Sequence, residues 1–197
     1  SIYKVNNNWF FEVPDSLLGR YILTITRYIS TPVDGGVYGG EMVNDQTLYW
    51  EKTINNKLLL RSCILNASAD GEGDINKAIL TSTENPIIGV FNIESIKDGK
   101  YKINVTKFFS EETSAVSLPN DIKKGFNLGN LITDRSFIKS VRSYPINTEV
   151  SCVKTYTCIE PEKGKTINMP SRSTGAVLPA GNKTGCVTIQ LNTSFIL

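Results

Sequence analysis

Apolar and polar residues alternate along this chain in short runs, and turn residues separate the runs. Trp9-Phe10-Phe11-Glu12-Val13 predicts a short strand that Pro14-Asp15 ends. Tyr21 to Ile29 is aromatic and β-branched. Leu23, Ile25 and Ile29 fall on one face and Thr24 and Thr26 on the other, which fits a half-buried strand. Asn55-Asn56 lies between the runs Leu48–Lys52 and Lys57–Arg61 and predicts a tight hairpin, because asparagine tolerates positive φ. Asp98-Gly99 between Phe91–Ile96 and Tyr101–Val105 predicts a second hairpin by a stronger signal. Thr148 to Ile159 and Cys186 to Phe195 alternate like two further strands.

Helical signals are few. Asp74 is placed to cap a helix running toward Glu84, ended by Asn85-Pro86. Thr106 could cap a turn carrying Phe108 and Phe109. Asp134 could cap a helix over Arg135 to Ser143, where Phe137, Ile138 and Val141 have helical spacing and Pro145 follows. The glycine pairs between Pro32 and Gly40 predict a loop. The Pro- and Gly-bearing stretch 160–185 predicts a long loop or irregular arm, mobile or partner-facing. The expected fold is mainly β (α+β): antiparallel sheet built from hairpins, with two or three short helices. No βαβ alternation points to a parallel fold.

Composition narrows the function classes. The 197 residues, 40% hydrophobic and 20% charged, suit one globular domain. A net charge of +2 with scattered Lys and Arg gives no footprint for nucleic acid. No apolar stretch approaches the ~20 residues of a membrane span, and no signal peptide is visible. The apolar stop at Ser194-Phe195-Ile196-Leu197 suggests a domain cut from a longer protein.

There is no histidine. Ser-His-Asp and Cys-His catalysis and an H-E-x-x-H zinc site are therefore impossible within these residues. Cys63, Cys152, Cys158 and Cys186 allow three disulfide pairings, and spacing does not choose among them. Buried thiols, a structural disulfide, and metal or catalytic use all stay open, although the spacing matches no C-x-x-C motif. Cys152 and Cys158 share a face of a regular strand and pair awkwardly unless it bends.

Other motifs have plain structural accounts. The triplets at Asn66, Asn104, Asn182 and Asn192 read as glycan acceptors only in a eukaryotic secretory setting, and chance explains them better in an Asn-, Ser- and Thr-rich chain. Asp70-Gly71-Glu72-Gly73-Asp74 could face calcium but lacks EF-hand spacing, and a solvated loop is favoured. Glu111 and Glu112 are sequence neighbours and diverge, unlike a glycosidase pair. Trp9, Phe10, Phe11, Tyr49 and Trp50 could stack on a sugar or peptide, but aromatic residues in strands more often fill a core.

Five segments taken in order carry a family resemblance: Phe11 to Arg20, Tyr49 to Lys52, Asn85 to Phe91, Asp134 to Ile138, and Ser143 to Val150. With them the chain resembles the N-terminal accessory region of large secreted bacterial zinc-dependent metallopeptidases, of the metzincin-like kind. The resemblance spans most of the chain and is weakest over 160–185. In that family the zinc motif lies in a catalytic domain further along, so no zinc ligand, catalytic residue or cofactor carries over to this chain. The resemblance implies a single accessory domain over 1–197 with an extracytoplasmic address, in the periplasm or at the cell surface, and with the downstream metallopeptidase domain of the same polypeptide as its partner. Arg135 and Asp134, with Trp9 and Trp50, are the candidate interface residues. The Arg135 guanidinium would be held by Asp134, by Glu149 or by the neighbouring domain. The expected function is that of a non-catalytic module that packs against or positions the catalytic domain, or helps present substrate to it. The rivals are a carbohydrate- or surface-binding β module, and a prodomain-like inhibitor using one of the four thiols.

Overall fold

The computed structural model describes residues 1–32, 36–64, 84–159 and 184–197. Eleven strands form one antiparallel sheet among them. They are β1 (Ile2–Val5), β2 (Asn8–Pro14), β3 (Ile22–Ser30), β4 (Met42–Lys52), β5 (Lys57–Ser62), β6 (Ile87–Lys97), β7 (Lys100–Asn104), β8 (Leu128–Leu131), β9 (Phe137–Ser143), β10 (Asn147–Cys158) and β11 (Cys186–Ile196). Two short helices, α1 (Thr106–Ser110) and α2 (Asn120–Gly125), accompany them. The spatial order is β1-β2-β7-β6-β5-β4-β3-β11-β10, with β9 and β8 sharing the far edge of β10.

Both predicted hairpins form. Asn56 has φ 54° between β4 and β5, and Asp98 and Gly99 have φ 49° and 67° between β6 and β7. Positive φ at both central residues of the Asp98-Gly99 turn matches the right-handed twist of paired strands, whereas the β4–β5 turn uses it at Asn56 alone. A second turn with two positive-φ residues, Asn6-Asn7, joins β1 to β2 with φ 46° and 70°.

The sheet curls around α1. Phe109 meets Phe11 of β2 and Phe195 of β11 at ring-centroid distances of 5.7 and 5.8 Å, and Phe108 meets Phe91 of β6 at 5.4 Å. These rings join Leu48, Trp50, Leu58, Leu60, Ile103 and Val150 in the main core. A second cluster, with Tyr28, Leu118, Phe126, Tyr156, Ile189 and Leu191, fills the other end of the long strands. Thr106 does not cap α1: its own N–H donates to Asn104 Oδ1 at 3.0 Å at the helix start, and its Oγ1 accepts the Trp9 N–H at 2.8 Å and ties α1 to β2.

The expected helix over Arg135 to Ser143 is the strand β9, preceded by a 3-10 turn at Thr133–Arg135. Ile138 pairs with Cys152 and Ser140 with Ser151, so Lys139 is an extra residue in the ladder. That bulge lets Ile138 and Val141 both pack on the core although they are three positions apart, which imitates helical spacing. On β3 the buried face carries Ile22, Thr24, Thr26 and Tyr28, while Leu23 and Ile29 are 41% and 44% exposed. The apolar face of this strand points outward. The expected helix toward Glu84 and the expected arm over 160–185 fall almost wholly outside the described residues.

Candidate functional site

The polar face of β3 looks into the interior because it has partners there. Thr26 Oγ1 and Thr193 Oγ1 lie 2.9 Å apart, sharing a hydrogen bond between β3 and β11. Beside them Lys154 of β10 is fully buried. Its Nζ donates to Glu111 O at 2.6 Å and to Ser117 Oγ at 2.8 Å, both in the segment around the end of α1. Neither partner is charged, so burial dominates and lowers the lysine from 10.5 to about 8; the Cys152 thiol and Glu112 oppose the shift and Lys123 adds to it. Lys123 Nζ in turn pairs with Glu112 at 2.9 Å. A polar cavity of about 360 Å³ opens next to this layer, lined by Asn44, Gln46, Glu112, Ser114, Ser117 and Lys123 among others. Such a layer can fix the segment 111–117 to the sheet.

A second cavity, of about 210 Å³, lies where the curling sheet brings β1 back toward β9 without a hydrogen-bonded ladder between them. Its walls come from Phe11 to Pro14 and Leu17, from Trp50, from Ser143 to Pro145 with Asn147 and Thr148, and from Ile2, Phe195 and Leu197. Three of the five segments that carry the sequence resemblance therefore meet at this seam. Local bonds hold them there: Gly19 N–H donates to Trp50 O at 2.9 Å, and Tyr101 OH donates to the Asp15 carboxylate. The lining is mostly apolar and suits a hydrophobic side chain or an extended segment.

Residues 40–197 match the family described as a domain of unknown function, DUF5117. The chain belongs to that family. Residues 1–31 match a second domain of unknown function, DUF5118. No curated protein matches the chain, and no solved structure does. In this DUF5117 chain the two matches do not divide the sheet. β3, in the DUF5118 segment, pairs with β4 on one side and β11 on the other, and Val13 and Ile22 belong to the main core.

The four candidate interface residues do not converge. Trp50 is 5% exposed and belongs to the core, so it is no open stacking platform, although it contributes to the wall of the seam cavity. Trp9 is half-buried against the same core, with Lys4 Nζ 5.8 Å from its ring centroid. Asp134 and Arg135 are exposed in the 3-10 turn. Arg135 has no carboxylate partner among the described residues, and its guanidinium donates to Cys186 Sγ at 3.7 Å instead. Glu149 accepts from Asn147, Asn192 and Ser194.

All four cysteines are free thiols. Cys152 is buried, and burial pushes it up to about 12, with Lys154 opposing; this leaves it unreactive at neutral pH. Among the described residues no cluster of three or more Cys, Asp or Glu could hold a metal ion, and no helix is long and apolar enough to cross a membrane. Lys154 gave one sequence signal that went unused: a lysine at an inward position of a strongly alternating strand, flanked by Cys152 and Tyr156. The seam cavity gave none, since its walls are remote in sequence.

Proposed function

We propose that this chain is a non-catalytic, extracytoplasmic module of a zinc-dependent metallopeptidase, and that it holds the downstream catalytic domain at the seam between β1 and β9. The observation that carries this reading is the convergence of Phe11–Leu17, Trp50 and Ser143–Thr148 on one apolar cavity. These are segments of the resemblance, and a shared structural role accounts for their meeting better than separate turn chemistry does. The outward apolar face of β3, with Leu23 and Ile29 exposed, adds contact surface of the kind that covers well against a neighbouring domain. DUF5117 itself carries no functional assignment, so the peptidase context rests on the resemblance.

The test is the natural polypeptide, purified with zinc and assayed on casein and on peptides. The proposal expects cleavage by the whole polypeptide and none by residues 1–197 alone. It also expects Leu17→Asp and Leu197→Asp to lower activity in the whole polypeptide while leaving the melting of the isolated chain near wild type for the exposed Leu197. Cleavage by the isolated chain, or a polypeptide without zinc peptidase activity, would sink it.

A further inference from the structure

On the outer face of the sheet, away from both cores, Ser140 and Arg142 of β9, Tyr144 of the following turn, Glu149 and Ser151 of β10 and Asn192 of β11 line a cavity of about 260 Å³. Arg142 and Glu149 are direct cross-strand partners in the ladder, an arrangement that ordinarily yields an ion pair. Here it does not. Glu149 Oε1 accepts from Asn147 Nδ2 at 2.9 Å, and Oε2 accepts from Ser194 Oγ at 2.7 Å and from Asn192 Nδ2. Asn192 Oδ1 accepts from Ser151 Oγ at 2.8 Å. The Arg142 guanidinium has neither an ion pair nor a hydrogen bond among the described residues.

The network is fixed before any ligand arrives, and its unused capacity can be counted. The guanidinium offers all its N–H groups, and the Asn192 amide retains one. Glu149 Oε1, Asn192 Oδ1 and the Ser151 and Ser140 hydroxyls retain acceptor sites. Donors and acceptors thus sit side by side on neighbouring strands. An anion uses only donors and would meet the Glu149 carboxylate; an ammonium uses only acceptors and would meet Arg142. Hydroxyl groups, each both donor and acceptor, use the whole set. Tyr144, 49% exposed, adds a ring against which C–H groups can lie. We propose that this cavity binds a neutral saccharide unit through vicinal hydroxyls held by Arg142, Glu149 and Asn192. The site adjoins the seam, sharing Tyr144 with its lining, and does not rest on the peptidase context.

Titration calorimetry on the full chain decides it, with cellotetraose, chitotetraose and mannotetraose as neutral probes and tetragalacturonate and inorganic phosphate as anionic ones. At least one neutral tetrasaccharide should bind. Arg142→Ala should weaken it about tenfold or more, the usual loss for a hydrogen bond to a charged group, and Glu149→Gln should weaken it too. Should Arg142→Ala lower the melting temperature, Tyr144→Ala, on an exposed turn, carries the same expectation. The proposal is overturned if no neutral probe binds or if binding survives Arg142→Ala and Tyr144→Ala unchanged. It is also overturned if only the anions bind and Glu149→Gln strengthens them.

Discussion

Lys154 makes the stability of this fold depend on alkaline pH in a direction opposite to the usual one. Its folded-state value is about 8 against an ordinary 10.5. Below pH 8 the lysine is charged in both states, and the folded state bears the full cost of burying it. Between about 8 and 10.5 the unfolded chain holds a proton that the folded chain has released, so stability attributable to Lys154 rises with pH. At about 1.4 kcal/mol per tenfold change in proton affinity, the rise totals about 3 kcal/mol. Cys152 acts in reverse, because its folded-state value of about 12 against 9 costs stability above pH 9. Lys154→Met separates the two. Methionine fills similar volume without charge but leaves Glu111 O and Ser117 Oγ without the ammonium, a loss of about 1–3 kcal/mol for a group left unsatisfied. That loss is independent of pH, whereas the lysine contribution is not. Urea denaturation of both proteins at pH 7, 8, 9 and 10 should show wild type gaining on Lys154→Met by most of the 3 kcal/mol. A difference that stays flat from pH 7 to 10 would refute a charged, neutrally solvated lysine in the interior.

Two further outcomes test the inward face of β3. Thr26→Val should cost about 1–3 kcal/mol by stranding the buried Thr193 hydroxyl, while Thr26→Val with Thr193→Val should cost less than the sum; additive losses in denaturant titrations would contradict the shared bond. In the isolated chain Ile22→Ala should cost about 2–5 kcal/mol as a core truncation, whereas Leu23→Lys should stay within about 0.5 kcal/mol. Equal melting losses would restore the hydropathic assignment of the faces.

The hairpins were legible because their chemistry is local. Asn56 and Asp98-Gly99 take positive φ as their residue types favour, whatever surrounds them. Strands β2, β10 and β11 were legible for the same reason: period-two alternation survives any packing. What alternation leaves open is which face turns inward. On β3 hydropathy favours Leu23, Ile25 and Ile29, yet Thr26 goes inside because Thr193, from the far end of the sequence, meets its hydroxyl. Segment 137–143 was misread through a bulge at Lys139 that only the β10 register reveals. Lys154 sits on the inward face that alternation within β10 marks, but its partners Glu111 and Ser117 are not encoded there. The seam was out of reach because its walls come from opposite ends of the chain, and no spacing within one segment encodes their meeting.

The central claim, that the seam holds a neighbouring domain, is tested most directly by amide hydrogen exchange on residues 1–197 alone and within the natural polypeptide. The account predicts slower exchange in Phe11–Leu17 and Ser143–Thr148 within the longer chain, reversed by Leu197→Asp. Identical exchange of these segments in both contexts would contradict it.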